Sequence, residues 1–350
     1  MNSNNLIRKA AQINRPAPRA TVCTMNRMAN LGLGAFLAII LFLNGGLQGA
    51  DSAILIRNGQ KIGFMGDSIT EQAAAPSGYI NLVIGALKVE GIEATAIPAG
   101  VSGHTSGNML SRLTPQILSK NADWMTLSCG VNDVGMQAKG RGVDLEGFKK
   151  NVTAMVEQAL ANKTQVVLLT TTPLGEDLEN ERNAQIAPYN EFLRSYANEK
   201  HLVLADVNEA FREALKTPPA PDYSGGPDKR LLADGTHPNQ AGQTLMAKTI
   251  LLALKVPPSD FSKIEKDWME NPQGKGVKVG GGTLALISQN QYNALEKLAG
   301  EKHLTVRGIV GELWEKALAE AKDGDPGKAA GGAQAKIGPM VDEFIKNGSH

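Results

Sequence analysis

The chain has 350 residues, 42% of them apolar and 5% aromatic, with a formal net charge of +1. That is enough apolar sequence for one large α/β domain with an appendage. A near-neutral total without a long run of one sign gives nucleic acid or an anionic membrane no electrostatic footprint to bind.

Residues 1–50 read as a signal or N-terminal segment. Arg19 and Arg27 precede the apolar run LGLGAFLAIILFL (31–43), and the small and polar residues NGGLQGADSA (44–53) follow. That order matches the charged, hydrophobic and cleavage regions of a secretory signal. The run is short for a membrane span, so the expectation is export to the periplasm or beyond the cell. A membrane enters only if the segment stays uncleaved as an anchor. A start at Met25 would make the signal more ordinary. Removing the segment takes Cys23 with it and leaves Cys129, which excludes an intramolecular disulfide and a thiolate metal cluster.

From 51 to 256, short aliphatic runs alternate with longer amphipathic ones. Strands are expected at 62–65, 94–97, 124–127, 166–170 and 202–205. Helices are expected at 79–90, 108–119, 145–162, 180–200 and 239–254. Five strands separated by helices imply a parallel sheet covered on both faces, a three-layer α/β/α fold. Reactive groups then collect beyond the C-terminal ends of the strands.

The first strand is followed by GDSIT (66–70), placing Ser68 on a strand-to-helix turn. Thr70 stands where the G-x-S-x-G elbow needs glycine, so this is a different turn. Read alone, Ser68 is equally a helix cap. The second strand leads into AGVSGHT (99–105), where glycine frees a backbone N–H for close approach. The third leads into CGVND (129–133), where Asn132 brings an amide donor to the same edge. A serine, a bare backbone amide and an amide side chain together meet the needs of an oxyanion hole. Near the end of the domain, LADGTHPN (232–239) sets Asp234 and His237 three residues apart, just before a helix that Pro238 begins.

These four segments, in this order, resemble the four blocks of the SGNH (GDSL-type) serine hydrolases over roughly 61–254. The resemblance implies a flavodoxin-like sheet and a catalytic triad of Ser68, Asp234 and His237. It implies an oxyanion hole formed by the N–H groups of Ser68 and Gly103 and the side chain of Asn132. It implies neither metal nor organic cofactor. Pro98 stands where many members carry asparagine. The implied activity is hydrolysis of a carboxylic ester through an acyl-enzyme. Few aromatic residues and no long apolar lid favour a short acyl group; export and the family resemblance imply acetyl esters on a polysaccharide. A lysophospholipase or thioesterase, and a non-catalytic binding protein with a vestigial site, are the alternatives. Asp67, Asp133 and Cys129 read as structural, whereas His104 is either a pocket residue or an exposed loop histidine.

Beyond the hydrolase region, Pro257-Pro258 and the glycine-rich GKGVKVGGG (274–282) read as a linker over 257–282. A small helical appendage is expected over 283–322, with one short strand and helices at 289–301 and 305–321. A flexible tail is expected over 323–350. Strand, helix, helix at this size faintly resembles the ribbon-helix-helix fold, which would imply dimerisation. For an exported chain, DNA is excluded as partner. A helical pair packed on the hydrolase domain, or a homodimerisation arm, is expected instead.

Overall fold

The structure, a computed structural model, describes residues 53–218, 229–271, 274–279, 283–321 and 325–348. The expected signal segment lies outside them. Five parallel strands form the sheet: β1 Lys61–Gly66, β2 Thr95–Gly100, β3 Trp124–Ser128, β4 Gln165–Leu169 and β5 Val203–Ala205. All five residues of β3 and four of five in β4 are buried, the continuous apolar reading of strands covered on both faces.

Eight helices accompany the sheet: α1 Ser68–Gln72, α2 Tyr79–Val89, α3 Ser106–Gln116, α4 Val131–Gly135, α5 Leu145–Ala161, α6 Glu181–Glu199, α7 Val207–Lys216 and α8 Gln240–Ala253. α2, α7 and α8 pack together in one layer, and α3, α5 and α6 in the other. The long helices start at side-chain caps: Asp144 accepts from Gly147 N, Asn180 from Asn183 N and Asn239 from Gly242 N. On α5 the buried residues Phe148, Val152, Met155, Val156 and Ala159 form one stripe. Burying a side chain such as Phe148 contributes about 1.5–3 kcal/mol.

The strand order is β2-β1-β3-β4-β5. The chain leaves β1 toward one edge and returns to β3 on the other side, so the crevice beyond β1 and β3 is the switch point where ligands of open α/β sheets bind. Ser68 follows β1 and Asn132 follows β3, which places both at this crevice.

Two sequence expectations are corrected. Within the expected linker, the described residues form regular structure: α9 spans Phe261–Glu270 and β6 spans Lys275–Lys278. Pro258 opens a 3-10 turn that leads into α9 instead of breaking the chain. Ile264 and Trp268 are buried in the main core, and Trp268 Nε1 donates to Leu82 O at 3.0 Å. Within the expected tail, the described residues Pro326–Gly348 form a helix, α12 below. Its Ala333, Ile337 and Val341 are fully buried four residues apart, a stripe hidden among glycines and alanines that tertiary packing turns into a helix.

The appendage is therefore larger than two helices. β7 Leu284–Ile287 pairs antiparallel with β6, α11 Val306–Ala321 and α12 Pro326–Gly348 pack on the hairpin, and α10 Gln289–Glu301 packs on α11 and α12. They enclose a second core that includes Ile287, Leu295, Val310, Trp314 and Ile337. A ribbon-helix-helix strand pairs with a second copy; β7 has β6 on one side. The N–H and C=O of Leu286 are both taken by the Gln334 side chain, at 2.9 and 2.8 Å, so an amide closes this part of the edge.

Candidate active site

The turn that carries Ser68 is built by its neighbours. Asp67 caps α1, its Oδ1 accepting from Ile69 N at 2.9 Å. A Cβ on Gly100 would lie 2.1 Å from Glu71 N, so β2 passes against the backbone of α1 only because it ends in glycine. Ser68 opens α1, half-buried at the C-terminal end of the sheet.

Asp234 and His237 stand on a narrow loop. Leu232 and Pro238 form an antiparallel bridge, and Ala233 N donates to His237 O at 2.7 Å. Asp234 Oδ1 accepts from Thr236 N and His237 N, at 3.0 and 2.8 Å. The carboxylate thus folds its own turn, leaving Oδ2 for His237 Nδ1 at 2.7 Å. His237 Nε2 lies 2.8 Å from Ser68 Oγ, across 169 residues of sequence. The three residues expected to act together are brought into one chain of hydrogen bonds.

Gly103 has φ +76°, a conformation that suits glycine. Its loop is held on several sides: Val101 N donates to Gly66 O at 3.1 Å, and Ser102 donates through N and Oγ to the Glu71 carboxylate. Asn132 Nδ2 donates to His104 O at 3.0 Å, using one of its two hydrogens. Asn132 and the Gly103 loop are therefore directly joined. Asp133 beside it is fully buried and accepts from Ser106 N and Oγ, which makes it structural.

Burial dominates the electrostatics around the serine. It pushes the Asp67 carboxyl up to about 6, although Ile69 N–H and the His237 imidazole pull the other way. Burial also raises Asp133 and sets the Cys129 thiol well above its ordinary value, so Cys129 is an inert core residue. Partial burial works to raise Asp234, but the N–H donors of His237 and Thr236 and the imidazole outweigh it and hold that carboxyl below its usual range. Among the described residues, no group of three or more His, Cys, Asp or Glu is arranged to hold a metal ion.

Glu176 and Arg112 escape a reading by motif. Glu176 accepts from Arg230 N, Leu231 N and Leu232 N, at 2.9, 2.5 and 2.7 Å, and so clamps the segment leading to Asp234. Arg112 binds carbonyls at the ends of β1 and β2. Both act on backbone atoms, which leave no pattern in side-chain spacing.

A hydroxyl bonded to an imidazole whose other nitrogen meets a carboxylate is an arrangement for drawing a proton from oxygen. On a three-layer sheet, it is the machinery of a serine hydrolase. The model of the GDSL-like lipase/acylhydrolase family matches residues 64–245, and the chain belongs to that family. It is 25% identical over 216 residues to an acetylxylan esterase of Geobacillus stearothermophilus, covering 56% of this chain and 94% of that one. It is 28% identical over 214 residues to a multidomain esterase of Ruminococcus flavefaciens, covering 58% of this chain and 22% of that much longer one. Among solved structures, an acetylxylan esterase of Geobacillus stearothermophilus is similar with a TM-score of 0.52 at 23% identity, over 58% of this chain and 97% of that one. An α/β hydrolase from the metagenome of Lake Arreo, Spain, gives 0.51 at 24%, over 57% and 97%. At these identities the solved structures bear on fold.

Proposed function

We propose that the protein is an exported serine esterase that removes acetyl groups from carbohydrate through an acyl-enzyme. The observation that carries this reading is the 2.8 Å bond from Ser68 Oγ to His237 Nε2, with Asp234 behind the imidazole. His237 takes the Ser68 proton as Oγ attacks the ester carbonyl. The N–H groups of Ser68 and Gly103 and the free hydrogen of Asn132 Nδ2 bind the developing oxyanion. His237 then protonates the leaving alcohol oxygen. Water, deprotonated by the same imidazole, releases acetate and restores Ser68. Asp234 stays ionised throughout and stabilises the imidazolium.

The carbohydrate part of the proposal is supported by the acetylxylan esterase of Geobacillus stearothermophilus, whose length the match nearly spans. Export is supported by the order of residues 19–53. The test is acetate release from acetylated xylan beside hydrolysis of p-nitrophenyl esters from acetate to decanoate. Release of acetate with activity confined to short esters supports the reading. A preference for decanoate and inertness toward acetylated xylan would replace it with lipid hydrolysis by the same triad.

A further inference from the structure

Arg112 is 8% exposed and, among the described residues, has no carboxylate within ion-pair distance. Only the more distant Asp67 carboxylate favours its charge, and a buried cation with no carboxylate in contact is costly unless its donors are used. Four of its five are: Nη2 donates to Gly66 O at 2.6 Å, Nη1 to Ala99 O at 2.7 Å and to Gln116 Oε1, and Nε to His104 Nδ1 at 2.9 Å. One guanidinium thus joins the end of β1, two residues before Ser68, to the end of β2 and to the residue after Gly103.

The bond to His104 has a fixed sense. Arginine has no acceptor, so Nδ1 must offer its lone pair, and the ring proton of a neutral imidazole then resides on Nε2. The backbone of the same residue is held from the other side, because His104 O accepts from Asn132. His104 therefore links Arg112 to Gly103 and Asn132, two of the three donors of the proposed oxyanion hole. The charged groups facing its ring are Arg112 from α3 and Glu71 from α1. Burial and then Arg112 lower the imidazole below its ordinary value, against an opposing pull from Glu71.

We propose that Arg112 is a positioning residue of the oxyanion loop, holding His104 as the neutral Nε2–H tautomer and through it fixing Gly103 and Asn132 relative to Ser68. The inference rests on the oxyanion roles proposed above. Protonation of Nδ1 removes the acceptor and sets an imidazolium against a guanidinium. The latch is intact above the lowered pKa of His104 and is lost as pH falls through it.

Removing a buried cation endangers the fold, so the kinetic test is made at His104 and the structural one by 15N NMR of histidine side chains in the full chain. The expected spectrum at pH 7.5 has His104 Nδ1 as an unprotonated acceptor and Nε2 protonated. His104→Ala is expected to lose about 10- to 100-fold in kcat with KM within about threefold. His104→Gln, whose Oε1 accepts from Arg112 without titrating, recovers most of that loss. An Nδ1–H tautomer or an imidazolium at pH 7.5 overturns the proposal. So does wild-type kcat in His104→Ala, or a glutamine variant no better than alanine. The tautomer is read without turnover. Persistence of hydrolysis in Ser68→Ala would therefore remove the proposed function and leave the tautomer result standing.

Discussion

Asp234 holds His237 twice: Oδ1 takes the backbone N–H at 2.8 Å, and Oδ2 takes ring Nδ1 at 2.7 Å. Three residues of local sequence are enough to build both contacts, one shaping the loop and one orienting the ring. The contacts are separable by substitution. Asp234→Asn retains an acceptor for the loop and presents an NH2 group to Nδ1, which forces the wrong tautomer. The expected result is a fall in kcat of about 10⁴-fold with the unfolding midpoint unchanged, measured by steady-state kinetics beside urea denaturation.

Glu176 supports the same loop from outside the triad. Its carboxylate accepts three consecutive backbone N–H groups, of Arg230, Leu231 and Leu232. Hydrogen bonds to a charged group contribute about 1.5–3 kcal/mol each, and unpaired donors left behind add to the loss. Glu176→Ala is expected to destabilise the chain by at least about 2 kcal/mol and to lower kcat through a loosened His237. Unfolding in urea and turnover, measured on one preparation, check both effects together.

Asp67 makes stability depend on pH. Its folded pKa, about 6, lies above the ordinary 3.8, so the folded state binds more protons between those values. The contribution of this group to stability is therefore greatest below pH 3.8, falls as pH rises toward 6, and stays reduced above it. The difference amounts to about 3 kcal/mol. Asp67→Asn keeps an acceptor for Ile69 N–H and cannot ionise. It is expected to be more stable than wild type at pH 8, by up to that amount, and similar at pH 4. Urea midpoints at the two pH values decide; an equal difference at both would assign the Asp67 burial cost elsewhere.

Two glycines near the site respond differently to a methyl group. At Gly100 the added Cβ meets the backbone of α1 at 2.1 Å, while at Gly103 the nearest atom is Met136 Cε at 3.6 Å. Gly100→Ala is expected to destabilise by several times more than Gly103→Ala. The latter carries only the strain of φ +76°, about 1–2 kcal/mol. Thermal unfolding of the two variants measures the contrast.

Much of the molecule was legible in its sequence because its signals are local. Aliphatic runs bounded by turn residues located all five strands of the main sheet, four of them within one residue at each end, whereas β2 runs three residues past its expected end at 97. Ser68, Gly103, Asn132, Asp234 and His237 were marked by position after a strand or before a helix. What remained hidden is carried by tertiary contact. α9 follows two prolines, and only the burial of Trp268 against Leu82 shows that the chain continues the domain there. α12 is rich in glycine and contains Pro339, and its apolar stripe has meaning only beside β7, α10 and α11. Gln334 closing the β7 edge, Glu176 clamping 230–232 and Arg112 joining three segments all bind backbone atoms or distant rings. Residue type and spacing carry no record of such contacts.

The central claim is that Ser68 is the nucleophile. The measurement that reaches it most directly is hydrolysis of p-nitrophenyl acetate by the wild type and by Ser68→Ala, each confirmed folded by its unfolding midpoint. The account predicts that the variant keeps its stability and loses activity by at least about 10³-fold. Equal rates in the two folded proteins would contradict it and remove Ser68 from the reaction.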